Sequence, residues 1–294
     1  MIIKSTLLLL LATVVTPSEL DLMQPVPLFQ FLTRVVKNQK RNRLKEMSYS
    51  YRFIRQEKKF DTKGSIKNRK SATYEVIPLV DRMYRKLVTK NGEALSKSEA
   101  RDQEKKLSVQ LEEQKNLSSE ALFKLKFQRA ERRRKETQFW DETLKAFHFL
   151  YLGKDIRDGQ GFSVIKLWPN KGYELTNKNL MILKKLQGQV WIDPVVSQIV
   201  RAQVTFIEDF KLGGGLLAKV NKGATLVFEQ ERIKDKIWFP SHFEFDFKGR
   251  FLFFKRFNVK VIGDFTNYKK SSSSNDLVLA DPDLEEIIKD EVGN

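Results

Sequence analysis

Cysteine is absent from this 294-residue chain, and histidine occurs only as His148 and His242. The first absence removes disulfides, thiolate chemistry, cysteine-ligated zinc and a lipid anchor on an N-terminal cysteine. The second leaves most catalytic triads and zinc sites without their usual imidazoles. Neither Gly nor Pro occurs between Gly92 and Gly153, so the two strongest helix breakers are missing there. Acidic residues are outnumbered 37 to 54 by Lys and Arg, giving a formal charge of +17 and a pI near 9.8. That excess suits an anionic partner, whether nucleic acid, anionic lipid or lipopolysaccharide, without choosing among them. Hydrophobic residues make up 41% of the chain and aromatics 11%, enough for a core and too much for disorder throughout.

What is present is a succession of strands from Gln189 to Lys270. From His242 to Lys248 every odd position is Phe and every even one polar, the period of a strand that buries one face and wets the other. Phe251, Phe253, Phe257, Val259 and Val261 continue on one side, with Arg256, Asn258 and Lys260 on the other, and Gly249-Arg250 fits a hairpin between the two runs. Val200, Ala202, Val204 and Phe206 alternate with Arg201, Gln203 and Thr205; Leu226, Phe228 and Gln230 alternate with Val227, Glu229 and Glu231. Such strands joined by short polar turns predict an antiparallel meander, hence an α+β protein once its helices are added.

In chain order, residues 1–18 have the layout of a secretory signal peptide: Lys4, an apolar run over 7–15, then Thr16-Pro17-Ser18. An uncleaved anchor or a buried N-terminal helix is the other reading, the run being short for a bilayer span. Leu28, Phe31, Leu32, Val35 and Val36 stand at helical spacing before a basic stretch over 37–45 that suits a helix C-terminus. Strand patterns follow over 48–90, with Tyr49, Tyr51 and Phe53 on one face and a turn at Asp61-Thr62-Lys63-Gly64. Residues 96–147 predict a long helix or helical hairpin, with Asn116-Leu117-Ser118-Ser119 as the break. Its basic cluster, Arg129, Arg132, Arg133, Arg134 and Lys135, reads as a charged outer face before it reads as a phosphate site. Two more strands flank the turn at 157–161. Gly213-Gly214-Gly215 lacks the Gly-Lys-Ser/Thr of a phosphate loop and reads as a flap or a close approach to lipid. The serines at 271–274 form a linker, and the tail beyond carries seven acidic residues against Lys289 alone.

Asp193, Glu208, Asp209, Glu229, Glu231, Glu244 and Asp246 fall at solvent-facing or turn positions, which favours ordinary surface charge over an acid–base pair. His242, Glu244 and Asp246 alternate on one strand face; a lone imidazole there is seldom a metal ligand. Stacking of bases on aromatics beside Lys and Arg is disfavoured, because the Phe residues fall on the apolar sides of their strands. A sheet this rich in Phe needs cover: helices filling it, or a residual apolar pocket.

Gly188-Gln189-Val190-Trp191-Ile192-Asp193 followed by Gln198-Ile199-Val200-Arg201-Ala202 is similar to the strand, turn, strand signature of the LolA/LolB-like outer-membrane lipoprotein-sorting superfamily. Gly213 to Lys219, Phe228-Glu229-Gln230 and Trp238-Phe239-Pro240 resemble a bacterial envelope branch of it. The likeness covers 186–270 and, more loosely, 25–90, while the helical segment 96–147 departs from the best-known carriers. It implies a curved antiparallel sheet, an incomplete barrel covered by helices, over residues 25–270, with a long charged helical insertion at 96–147 and an acidic tail at 271–294. It implies a periplasmic carrier or sensor, not an enzyme, without cofactor or metal, holding lipid or lipoprotein acyl chains. Trp191, Phe206, Phe228 and Trp238 are the inward-facing, lipid-binding positions it suggests. An anionic membrane surface is a further partner the charge allows, and nucleic acid is not expected. A non-enzymatic structural or interaction protein of the same fold, its core filled and its basic helix docking on a membrane or partner, is the alternative.

Overall fold

A computed structural model describes residues 25–79, 82–212, 217–233, 237–251 and 255–271. The signal segment, the glycine run at 213–215, Phe253 and the tail from 272 lie outside the described residues. The chain opens with helix α1 (Pro25–Glu46). Strands β1 (Tyr49–Phe60), β2 (Ile66–Pro78), β3 (Met83–Lys90) and β4 (Glu93–Ala94) follow. Helices α2 (Lys97–Lys115) and α3 (Ser119–Ala146) then form the insertion. After β5 (Phe147–Arg157) and β6 (Gln160–Pro169), a 3-10 helix (Lys178–Lys185) leads into β7 (Leu186–Asp193) and β8 (Gln198–Phe206). The short pair β9 (Phe210–Leu212) and β10 (Ala218–Val220) precedes β11 (Thr225–Arg232), β12 (Trp238–Phe251) and β13 (Lys255–Lys270).

All thirteen strands join one antiparallel sheet in the order β4-β3-β2-β1-β13-β12-β11-β8-β7-β6-β5, with β9 and β10 beside the end of β12. The outer strands β4 and β5 do not pair, so the sheet is an open, curved α+β structure and not a closed barrel. The first strand pairs with the last, β1 with β13, and the insertion α2–α3 is the connection that joins the two outer strands, β4 and β5.

Helix α1 forms because its apolar residues recur every three or four positions, and the sheet buries that stripe. Leu28, Phe31, Leu32 and Val35 make one cluster with Ala146, Phe147, Ile165, Leu167, Leu183, Val190 and Ile192. The cover is uneven: α1 packs on β8 and β12, while α3 and the 3-10 helix close the β5–β6 wing.

One sequence expectation changes here. Gly249-Arg250 is not a hairpin; β12 runs through it to Phe251, with Gly249 opposite Phe257 and Arg250 opposite Arg256. Gly249 serves a different need, since a Cβ there would press on the Phe257 ring and on the carbonyl of Lys219 in β10. A glycine inside a strand marks such a close approach as readily as a turn.

Candidate apolar binding face

Residues directly opposite in a ladder share a face, so the register writes each face out in rows. On the face that carries α1, one row runs Ile165, Val190, Ala202, Phe228, Phe243, Gly263, Arg55, Ala72. The next runs Leu167, Gly188, Val204, Leu226, Phe245, Val261, Glu57, Lys70. Both begin in the buried cluster under α1 and stay apolar as far as β13. Both then turn charged on β1, at Arg55 and Glu57, and the second stays charged on β2 at Lys70.

Burial falls where the rows leave α1 and returns at Val261 on β13. Ile165 and Val190 are buried, whereas Leu226, Phe228, Phe243, Phe245 and Phe247 are only half-buried. The rings are in mutual contact: Phe245 stacks on Phe247 at 4.3 Å and Phe53 on Phe265 at 5.0 Å, with Phe243 6.1 Å from Phe53. Glycine sets their spacing, for a Cβ on Gly263 would lie 2.7 Å from two carbons of the Phe243 ring. At the charged margin Glu57 pairs with Arg55 (2.7 Å) and Lys59 (3.4 Å), which pull its carboxyl below the usual range against the opposing effect of partial burial.

The opposite face is a charge ladder: Val164, Trp191, Arg201, Glu229, His242, Asp264 form its row. Arg201 pairs with Glu229, His242 Nδ1 lies 2.7 Å from Asp264, and Lys260 pairs with Glu244 at 2.6 Å. Among the described residues no three His, Asp or Glu side chains converge as a metal-binding group.

The four positions suggested by motif divide between these surroundings. Phe228 stands in the apolar row, and Phe206, opposite Leu186, ends the same face of β8, buried beside Phe210. Trp238 is buried under the C-terminal half of α1, where its N–H donates to Asn42 (2.9 Å) and its carbonyl accepts from the Asn42 amide (2.5 Å). Trp191 lies on the other face: its indole N–H donates to Asp155 (2.8 Å), and the guanidinium groups of Arg157 and Arg201 sit 5.2 and 5.5 Å from its ring. Its neighbours Val190 and Ile192 take the inward positions. Asp193 is buried rather than solvent-facing, accepting from the Val195 N–H (2.9 Å) and the Gln160 amide (2.8 Å) as the brace of the β7–β8 turn.

No protein-family model matches the chain, and no curated protein does either. Among solved structures it is similar to a domain named for outer membrane lipoprotein sorting from Vibrio parahaemolyticus, at 12% identity and a TM-score of 0.29 over 82% of this chain and 94% of that one. The likeness is to solved structures alone. It extends to a DUF1329 family protein from Desulfovibrio piger (13%, TM-score 0.25, 82% and 96% covered) and a LolA superfamily protein from Nitrosomonas europaea (9%, 0.23, 76% and 86%). At these values no residue or ligand is carried across, and the site rests on its own geometry.

Proposed function

We propose that this protein is a cell-envelope carrier or sensor that holds lipid or lipoprotein acyl chains against the apolar face of its open sheet, without chemistry of its own. The observation that carries the reading is the change in burial along the two rows, from a sealed core under α1 to half-buried Leu226, Phe228, Phe243 and Phe245, short of the buried Val261. A row of large apolar side chains left partly wet costs hydrophobic stabilisation that a bound chain restores, at about 25 cal/mol for each Å² covered. The adjoining Arg55, Glu57, Lys59 and Lys70 suit a ligand with a polar end. Export by the N-terminal segment would bring the chain to such ligands.

Native mass spectrometry of gently purified protein tests this. Adducts of lipid mass are expected on the wild type, and Phe228→Lys should remove them, with the milder Leu226→Gln lowering their occupancy. A clean apo mass, or equal lipid on wild type and both variants, would sink the site. An export reporter active only in the cytoplasm would overturn the envelope placement.

A second reading has its own observation. Phe123 and Phe127, one turn apart on α3, are 71% and 62% exposed on an otherwise charged helix. An interaction protein whose insertion docks on a partner would use them, and would retain that partner while carrying no lipid.

A further inference from the structure

Three hairpins end on the same side of the sheet. The β1–β2 turn follows Phe60, which faces Ile66. The β12–β13 hairpin closes beyond Phe251, which faces Lys255, and Ala218 of the β9–β10 pair lies opposite that same Phe251. Each tip exposes an apolar side chain to solvent: Ile66 is 40% exposed, Phe251 45% and Leu217 62%. Two of them are set among exposed cations, with Lys63 and Lys67 around Ile66 and Lys255 and Arg256 beside Phe251. Between the β1–β2 turn and the segment that joins β10 to β11 lies a hollow of about 520 Å³ whose walls include Phe60, Gly64, Lys222, Lys248 and Asn258.

The acids at this end are turned to internal duties. Asp61 accepts the backbone N–H groups of Lys63 (2.8 Å) and Ser65 (2.9 Å), and Asp209 accepts the Lys222 N–H (2.9 Å) while pairing with Lys219 (2.6 Å). Asp246 is the one carboxylate in the wall of the hollow. Exposed apolar tips ringed by cations match the two contributions that hold a peripheral protein on a membrane, apolar insertion at the headgroup level and attraction to anionic lipid.

We infer that this end of the sheet docks on a bilayer containing anionic phospholipid, with Ile66, Leu217 and Phe251 entering the interface and Lys222 and Lys248 meeting headgroups. The inference rests on the lipid-handling reading only for the choice of a bilayer as the anionic surface. A single-stranded nucleic acid fits less well, since Ile66 and Leu217 offer no ring for a base to stack on.

The test is co-sedimentation of the full chain with vesicles of phosphatidylcholine, with and without phosphatidylglycerol, at low and high salt. Addition of phosphatidylglycerol should raise binding in a salt-sensitive way. Lys222→Ala and Lys248→Ala should each reduce that increment about fivefold, and Phe251→Ser should weaken it as well. These exposed substitutions leave the apolar row untouched, so lipid retained in their native mass spectra separates a failure of docking from a failure of the carrier reading. No increment with phosphatidylglycerol overturns the proposal, as does an increment unchanged in all three variants. Tight binding to an oligonucleotide with no response to phosphatidylglycerol overturns it in favour of a nucleic-acid surface.

Discussion

Gly188 and Gly263 both stand where the apolar face would otherwise carry a side chain, yet they obstruct different things. A Cβ on Gly188 would lie 2.7 Å from the Val204 Cα and closer still to the Gln203 carbonyl, both backbone, so strand β8 would have to move. The three atoms nearest a Cβ on Gly263 all belong to the Phe243 ring. Gly263→Ala is therefore expected to cost about 1–3 kcal/mol, recovered in large part when combined with Phe243→Leu, while Gly188→Ala costs at least as much and has no such rescue. Denaturant unfolding of Phe243→Leu, of each glycine variant and of each glycine variant combined with Phe243→Leu checks this, and equal rescue at both sites would refute the distinction. Glu46 presents an electrostatic case. It is buried at the end of α1, bonded to Asn42 (2.8 Å) and Arg43 (2.9 Å), and burial raises its pKa despite Arg43. Burial opposes the charge of Arg43 as well, but half of its side chain reaches solvent and Glu46 raises its pKa on balance, so the partners differ in how much water each loses. A carboxyl that holds its proton more tightly when folded gives stability fully present below the ordinary carboxylate range and lost as pH rises through the native value. Glu46→Gln should match the wild type near about pH 4 and exceed it near about pH 8 in urea unfolding. A penalty larger near about pH 8 than near about pH 4 would show that the Arg43 pair outweighs burial.

Helices α2 and α3 owe their separation to local chemistry that the sequence displays. Ser96 and Glu99 form a reciprocal capping box, Asn116 ends α2, and Ser118 accepts from the Ala121 N–H (3.1 Å) to start α3. Ser96→Ala should remove about 1 kcal/mol from the first turn of α2, seen as faster amide exchange there and at Leu87, whose N–H donates to Gln103 (3.3 Å). Unchanged exchange in both places would mean that contacts with β3 hold the helix without its cap. Strands were legible for a similar reason wherever polar and apolar residues alternate strictly, as from His242 to Lys248. Trp191 was not, because Val190, Trp191 and Ile192 are apolar at both parities and only the pairing of Val190 with Ala202 reveals which side is inward. Gly249 misled because a glycine required by the Phe257 ring looks, in one dimension, like a glycine required by a turn. The charged margin of Arg55, Glu57 and Lys59 was invisible as a unit with Phe243 and Val261, since about two hundred residues separate them in the chain.

Across the whole molecule the stabilising core is lopsided. Helix α1, the 3-10 helix and strands β5 to β7 supply every member of the main buried cluster, apart from Ala146 at the end of α3. The wing from β1 to β4 has long ladders but few buried side chains, chiefly Phe53 and Val76, and its outermost contacts with α2 are polar, as in the Lys86–Glu104 pair at 2.8 Å. Backbone hydrogen bonds resist opening only as far as burial supports them, so the two wings should differ in local stability. In native-state amide exchange, β2 and β3 are expected to open at lower denaturant than β6 and β7, with β13 intermediate because it bridges them through β1 and β12. The carrier reading adds a direction to this: a bound chain would lie between the sealed wing and the loose one, so lipid should slow exchange most at β12 and β13 and leave β6 unaffected. Uniform protection on adding lipid would place the ligand elsewhere, and simultaneous opening of both wings would show that the long ladders alone make the sheet a single cooperative unit.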